Sequence, residues 1–367
     1  MPDKALQLLP RRAGRYWFAG LTSTAFSILA AIQFAIPAGA AGRQVMHGHV
    51  PANTARLQPA GQLPGTNSLS LAIGLPLRNR EALTNLLREI YDPASTNYHH
   101  YLTPEQFAEK FGPAEQDYQA VIAFAKANGM TIKGTHLNRM LVDVSAPVTT
   151  IEKALHTTMR TYQHPVEARK FYAPEVEPSL DLGVPVLHIS GLDNYVMPRP
   201  MSLKIAPLNL SAEAVSYAGT GTGPAGTFMG RDFRSAYASG VTNTGTGQSL
   251  GLLEFDGYYS SDISAYVSQA GLPGVTLTNV LIDGYNGAAG LHNDEVALDI
   301  EMAISMAPGL SKVIVYESPN TGGSSITDDM LNRMATDNSA KQLSASWGYP
   351  IDSVTEQIFQ QFAVQGQ

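Results

Sequence analysis

The sequence of 367 residues is long enough for two or more domains, and its 44% content of hydrophobic residues indicates a globular chain rather than a disordered one. A net charge of -7 gives no basic surface for nucleic acid, so we expect no nucleic-acid partner. Because the chain contains no cysteine, it cannot be one of the small secreted folds that disulfides hold together.

The first forty residues have the pattern of an export signal. Three arginines within residues 11–15 precede an apolar stretch from Trp17 to Ile36, and small residues then offer a cleavage site after Ala40. We therefore expect residues 1–40 to be a signal peptide and the mature protein to be secreted or periplasmic, without stable membrane association. The alternative is a single transmembrane anchor, since the apolar stretch is near the lower length limit for spanning.

The next part of the chain alternates strand-like and helix-like segments. A strand is predicted over 68–77, helices over 80–92 and 103–129, two strands within 130–146 and a short helix over 149–156. Thr103 is the predicted N-cap of the second helix, with Pro104 at its first position. This order fits a mixed sandwich of the ferredoxin-like type. No cluster of nucleophile, base and acid occurs in this part of the sequence.

A connector is predicted over 198–227, where the sequence is rich in Pro, Gly, Ser, Thr and Ala and has no apolar period. We expect it to be flexible and sensitive to proteases. Its run GTGTGPAG has glycines at a spacing like that of dinucleotide-binding loops, but it follows no hydrophobic strand. A nucleotide-binding site is therefore set aside.

The last part of the chain, residues 228–367, contains three continuous apolar runs of strand length. They lie at 249–255, 312–318 and 341–348, with helical stretches between them. Runs that are apolar on both faces are typical of a parallel sheet covered by helices. We predict an α/β doubly wound parallel sheet for this part.

Two segments resemble a known family. DPASTNYHHYLTPEQFAEKFGP, from Asp92 to Pro113, closely resembles the signature of the activation domain in pro-peptidases of the sedolisin (serine-carboxyl peptidase, pro-kumamolisin) family, and FMGRDFRSAYA, from Phe228 to Ala238, resembles the opening of the mature enzyme. The resemblance implies a ferredoxin-like α+β activation domain in residues 41–197. It also implies that the predicted connector leads into the first part of a subtilisin-like doubly wound domain in the last part of the chain.

The segment from His292 to Gly309 carries the residues on which a catalytic role depends. Glu295 and Asp299 are four positions apart on a predicted helix, so their side chains share one face. Like charges at this spacing slightly destabilise an exposed helix, so the arrangement is explained either by solvation or by a functional role. The residue pattern alone leaves open that both are solvated acids. The family pattern Glu-x-x-x-Asp, followed by an apolar helix and Ala-Pro-Gly, implies that Glu295 is the catalytic glutamate and Asp299 its supporting aspartate.

The resemblance also implies a hydrogen-bond network that extends to Glu254 and Trp347. On residue patterns alone, Glu254 could be a solvated acid at a strand end and Trp347 a core aromatic. A carboxylate in place of histidine suits hydrolysis in acid, since imidazole with a pKa near 6.5 is protonated there while a glutamate stays partly ionised. We expect Glu295 and Asp299 to titrate as a coupled pair.

Other parts of the family's machinery are not found in this sequence. The family nucleophile lies in a Gly-Thr-Ser motif and its oxyanion Asp in a Gly-Asp-Ser-like segment, and neither motif follows Trp347 here. We expect the polypeptide to lack both residues, to be inactive by itself and to be a truncated form of a longer protein. Calcium is expected for a full-length member of the family, with its site outside this chain.

Two functions are compatible with these observations. The first is the zymogen of a secreted, acid-acting serine-carboxyl endopeptidase, with polypeptide substrates and an intramolecular propeptide as partner. The alternative is a stand-alone propeptide-like protein that inhibits or chaperones a partner peptidase. We expect no metal site within this chain in either case.

Overall fold

Both strands and helices occur in residues 42–201, 221–321 and 323–367, which are the residues that the computed structural model describes. The predicted signal peptide and most of the predicted connector lie outside the described residues. The helices are α1 (Arg80–Tyr91), α2 (Pro104–Lys110), α3 (Glu115–Ala127), α4 (Val148–Ala154), α5 (Arg231–Tyr237), α6 (Ser260–Gln269), α7 (Asn293–Met306), α8 (Ser324–Asp337) and α9 (Ser353–Gln365).

The strands include several of only two or three residues. They are β1 (Gln44–Val45), β2 (Pro59–Gln62), β3 (Ser68–Gly74), β4 (Thr131–Thr135), β5 (Leu141–Pro147), β6 (Met159–Gln163), β7 (Lys170–Pro174), β8 (Ser179–Leu180), β9 (His188–Ser190), β10 (Arg199–Pro200), β11 (Ser249–Glu254), β12 (Thr276–Leu281), β13 (Lys312–Glu317), β14 (Gln342–Ser344) and β15 (Trp347–Gly348). The mixed α/β class predicted from the sequence is confirmed.

The first half of the described chain is built around a four-stranded sheet. Its order is β4-β5-β3-β9 and every neighbouring pair is antiparallel, with Leu71 opposite Val144 in the central pair. Helices α3 and α4 pack on one face, where Val121 and Ile151 are fully buried. Helix α8 from the second half of the chain packs on strands β3 and β9.

The predicted cap of the second helix is present, but the helix is shorter than predicted. The Thr103 hydroxyl accepts a hydrogen bond from the backbone N–H of Gln106, and the Gln106 side chain accepts one from the N–H of Thr103. Instead of one helix over 103–129, the structure has α2 and α3, separated at Gly112 and Pro113. Proline has no N–H to donate and disfavours helical backbone in the residue before it, so the helix must end there.

The second half of the described chain contains a four-stranded parallel sheet in the order β12-β13-β11-β14. Two of the predicted apolar runs form its central strands, β11 and β13, which are largely buried. The third run is divided: β14 joins the parallel sheet, whereas β15 leaves it and pairs antiparallel with β10. The carboxyl end of β11 and the strand β15 together frame the region described below.

Polar side chains connect the two halves of the described chain. Asn138, which is fully buried, donates to the side-chain oxygens of Asn332 and Gln361 at 2.5 and 2.8 Å. The Ser190 hydroxyl donates to a carboxylate oxygen of Asp328 at 2.6 Å. Within the described part of the chain, no helix is both long and apolar enough to cross a membrane.

Candidate active site

Strand β11 ends at a carboxylate that is completely enclosed. Glu254 is 0% exposed, and the indole Nε1–H of Trp347 donates to its Oε2 at 2.8 Å. Trp347 is itself buried and stacks edge-on against Phe255. Because parallel strands end at one edge of a sheet, this pair lies where the second half of the chain can present side chains to a ligand.

Helix α7 brings the other two predicted site residues to the same place. Glu295 lies in its first turn and is buried, and Asp299 lies one turn further along the same face. The Oδ1 of Asp299 accepts a hydrogen bond from the Ser346 hydroxyl at 2.8 Å. The structure thus brings Glu254, Glu295, Asp299 and Trp347 into one cluster, which we call the carboxyl cluster.

Burial is the main cause of the raised carboxyl pKa values in the carboxyl cluster. Burial, followed by the negative charges of Asp299 and Asp294, raises the pKa of Glu295 to about 7. Burial and then the charge of Asp299 hold the pKa of Glu254 well above its ordinary value. Burial also raises the pKa of Asp299, while hydrogen bonds from Ser346 and Glu254 act in the opposite direction.

The carboxyl groups of Glu254 and Asp299 shift each other's pKa values. Among the described residues no N–H or hydroxyl group donates to Glu254 Oε1, Asp299 Oδ2 or Glu295 Oε2, although all three are buried. The carboxyl groups of Glu254 and Asp299 are within hydrogen-bonding reach of each other, and the direction of their pKa shifts makes Glu254 the donor. The charge of Asp299 also acts on Glu295, and the coupled titration expected for Glu295 and Asp299 stays a prediction.

Glu295 and Asp299 line a cavity of about 700 Å³. The rest of its wall is largely apolar and consists of Met201, Leu250, Leu252, Leu298, Met302, Ala303, Met306, Ser344 and Ser346. An apolar cavity with a few convergent polar groups has the character of a ligand-binding site. The two carboxyl groups are its only titratable side chains within the described part of the chain.

The segment that follows the first half of the described chain passes along this cavity. Arg199 and Pro200 form β10, which pairs with Gly348 and Trp347 of β15, and the N–H of Met201 donates to the Ser346 carbonyl at 2.7 Å. The structure therefore orders the first residues of the predicted flexible connector. An extended segment of the chain is thus hydrogen-bonded to the backbone around β15, beside the carboxyl cluster.

Two residues near the carboxyl cluster are not among the site residues predicted from the sequence. Ser346 immediately precedes β15, the strand that carries Trp347, and its hydroxyl donates to Asp299. Asp256 lies two residues beyond Glu254 and receives several hydrogen bonds from the loop that precedes α7. The one sequence signal for Asp256 is its place at the end of a buried strand, next to a glycine.

A second group of ionisable side chains lies between the two halves of the chain. The Nε2 of His136 is 2.5 Å from a carboxylate oxygen of Asp143 and 3.5 Å from one of Asp329, and the three could in principle hold a metal ion. They do not fit calcium, which takes six to eight oxygen ligands. The imidazole is already hydrogen-bonded to Asp143, so the group is accounted for as an ion pair.

Comparisons with known proteins extend these observations. The family model described as "Pro-kumamolisin, activation domain" matches residues 55–195. Xanthomonalisin of Xanthomonas sp. (strain T-22) is 26% identical over 329 residues, which cover 83% of this chain and 39% of that protein. Kumamolisin of Bacillus sp. (strain MN-32) is 27% identical over 322 residues, covering 85% of this chain and 56% of that protein.

A third relative shows a similar identity and a similar coverage of this chain. Sedolisin of Pseudomonas sp. (strain 101) is 24% identical over 299 residues, which cover 79% of this chain and 50% of that protein. The resemblance found in the sequence is confirmed. The chain spans about half the length of the curated relatives it matches.

Proposed function

From the premise that residues 55–195 are a pro-kumamolisin activation domain in a chain related to the sedolisins, we propose that the chain belongs to the zymogen of a serine-carboxyl endopeptidase. The activation domain extends over residues 41–197 and the linker over 198–227. Residues 228–367 are the first part of a subtilisin-like catalytic domain. The antiparallel order β4-β5-β3-β9 supports a ferredoxin-like activation domain, and the parallel order β12-β13-β11-β14 supports the subtilisin-like class.

The carboxyl cluster is the observation that carries this proposal. A Glu and an Asp one helical turn apart, both lining a cavity and both backed by a buried Glu254–Trp347 pair, form an arrangement with no evident structural purpose. Buried carboxyl groups without donors cost stability, and such groups with raised pKa values are enriched at functional sites. In the proposed role, Glu295 is the general base and Asp299 orients it.

The chemistry follows from the titration of the carboxyl cluster as a unit. Three carboxyl groups that repel one another release their protons in steps, so in acid the cluster carries a single negative charge. In the resting cluster that charge is on Asp299, which accepts from Glu254; Glu295 becomes the base when its proton passes to Asp299, and its carboxylate then takes the proton of a serine hydroxyl. The serine nucleophile and the oxyanion donor are supplied by parts of the whole protein outside this chain.

The activation domain acts as an intramolecular propeptide in this proposal. Strand β10 pairs with β15, and Met201 lines the cavity together with Glu295, so in this proposal the connector occupies the place of a polypeptide substrate. The peptidase is secreted or periplasmic and makes no stable membrane association after removal of residues 1–40. A calcium ion belongs to the whole protein; none of its ligands is assigned within this chain.

Self-processing of the whole protein tests the proposal. In acid, the wild-type zymogen should cut its own chain between the activation domain and the first residues of the catalytic domain, which intact-mass measurement detects. Glu295→Gln should abolish this cleavage, because an amide cannot accept the proton. Glu301→Gln is the matched control, since Glu301 lies on the same helix, is partly buried and has a pKa raised to about 7 by burial and the charge of Asp262, yet is outside the carboxyl cluster.

Retained self-processing in Glu295→Gln would contradict the proposed base. A whole protein that never processes itself, but inhibits or refolds a partner peptidase, would favour the alternative of a stand-alone propeptide-like inhibitor or chaperone. The chain of 367 residues, produced by itself, is proposed to hydrolyse no peptide at any pH.

A further inference from the structure

Asp256 lies two residues beyond Glu254, at the point where the chain leaves β11. It is 7% exposed, and its carboxylate accepts four hydrogen bonds. Its Oδ1 accepts from the N–H of Gly290 at 2.7 Å and of Gly257 at 2.8 Å, and from the hydroxyl of Tyr285 at 3.2 Å. Its Oδ2 accepts from the N–H of His292 at 2.7 Å.

These bonds fasten the loop that leads into α7. His292 is the N-cap residue of α7 and provides no side-chain cap of its own, so its position depends on other contacts. Its carbonyl accepts from the N–H of Glu295 at 3.1 Å, and its ring packs edge-on against Trp347 with the ring centres 5.6 Å apart. Asp256 therefore connects the end of the strand that carries Glu254 to the start of the helix that carries Glu295.

The loop is shaped to approach this carboxylate closely. A Cβ atom at Gly290 would lie 2.8 and 2.9 Å from the two Asp256 oxygens, so a side chain there would force the carboxylate away. At Gly257, a Cβ would lie 2.3 Å from the carbonyl oxygen of Gly287. Glycines on both sides of the contact allow the N–H groups to converge on Asp256.

A second carboxyl group lies next to Asp256 and provides a control. Glu317 is fully buried at the end of β13, and no described residue donates a hydrogen bond to either of its carboxyl oxygens. Burial, followed by the charge of Asp256, raises the pKa of Glu317 to about 7. Glu317 is thus buried in the same region, but it accepts no hydrogen bond from the N–H groups of the loop. Tyr285 is a further ionisable side chain that faces Asp256.

We propose that Asp256 is a positioning residue for the reaction, which holds the loop 285–292 and the first turn of α7 so that Glu295 stays dry and aligned with Asp299. This inference rests on the proposed function, since it gives Asp256 a role in preparing the base. It adds to the carboxyl cluster a residue that contacts neither substrate nor reacting atoms. The two-oxygen acceptor geometry makes a carboxylate necessary, because Asn would turn an N–H₂ group towards one of the loop donors.

The test uses Asp256→Asn in the full chain carrying Trp17→Phe, which leaves Trp347 as the only tryptophan. When the loop is released, His292 leaves the face of Trp347, and acrylamide should quench Trp347 about threefold more strongly than in the parent chain. Water should also reach Glu295, so its carboxyl titration, followed by ¹³C NMR and assigned with Glu295→Gln, should move down by about one pH unit. Circular dichroism checks that the variant is folded.

Glu317→Gln is the matched control and should leave both the quenching of Trp347 and the titration of Glu295 as they are in the parent chain. If Asp256→Asn leaves both readouts unchanged, or if Glu317→Gln changes them as much, the positioning role is wrong. Neither readout requires turnover, so they can support the role of Asp256 even if the whole protein proves not to be a peptidase. If Asp256→Asn does not fold, Tyr285→Phe, which removes one of the same bonds, should give a smaller change in the same direction.

Discussion

Glu254, Glu295 and Asp299 occupy a part of the molecule where water reaches few of their oxygen atoms. The donors available to them among the described residues are the Trp347 indole and the Ser346 hydroxyl. Three carboxyl groups with two such donors cannot all be ionised, because each further charge would be both desolvated and repelled. The surroundings of these three carboxyl groups therefore keep the carboxyl cluster partly protonated.

Trp347→Phe tests how much the single hydrogen bond from the indole contributes to the free energy of unfolding. The change removes the donor to Glu254 Oε2 and leaves that buried oxygen without a partner, so the free energy of unfolding should fall by about 2 kcal/mol. Urea unfolding followed by circular dichroism measures the loss. In a double-mutant cycle with Glu254→Gln, a coupling energy near zero would contradict the stabilising role of this bond.

Residue spacing predicts part of the candidate site and no more. An interval of four positions on a helix places Glu295 and Asp299 on one face, whatever the helix packs against. Asp256 and Ser346 could not be found in that way, because their partners lie far along the chain and are set by how β11, α7 and β15 meet. The interaction between the carboxyl groups of Glu254 and Asp299 likewise depends on a contact between strand and helix.

At the scale of helices and strands, the pattern of hydrophobic residues predicts the buried elements more accurately than the exposed ones. The central strands β11 and β13 are apolar on both faces and agree with the prediction. The edge strand β12 was not predicted, because its exposed Thr and Asn residues interrupt any apolar run. The run over 341–348 was predicted as one strand, but its second half turns away to pair with β10. That pairing depends on a segment more than a hundred residues earlier in the chain.

At the scale of the whole molecule, acids with raised pKa values occur in both the carboxyl cluster and the contact between the two halves. Burial is the first cause for Glu301 and Glu317, whose pKa values rise to about 7, and for Asp329, whose pKa rises to about 8. Each of these groups holds its proton in the folded chain at a pH where the unfolded chain has lost it. The folded state therefore binds more protons than the unfolded state in this range.

Stability should consequently fall as the pH rises. For a carboxyl group whose folded pKa is raised, the free energy of unfolding decreases between the unfolded pKa, 4.5 for Glu, and the folded value of about 7, and is level outside that window. His49 acts in the opposite direction, but only below 6.5, because burial lowers its pKa to about 4. We expect the melting temperature at pH 6.5 to exceed that at pH 8 by about 3 °C or more.

Calorimetry at the two pH values measures this difference. In the triple variant Glu301→Gln, Glu317→Gln, Asp329→Asn, the difference should shrink, because these groups no longer exchange protons on unfolding. A wild-type chain that is more stable at pH 8 than at pH 6.5 would show that the buried carboxyl groups are ionised and compensated in some other way.

The pH dependence of peptide hydrolysis by the whole protein tests the central claim most directly, when measured for the wild type, Glu295→Gln, Asp299→Asn and the double variant. We predict that kcat/KM of the wild type is highest in acid and falls as the pH rises through about 7, where the carboxyl cluster gains further charges. Glu295→Gln should lose roughly a thousandfold or more, and the double variant little more than the worse single one, because the members act as a unit. An optimum at about pH 8, where even Asp329 ionises, or full activity in Glu295→Gln, would contradict the assignment of Glu295 as the base.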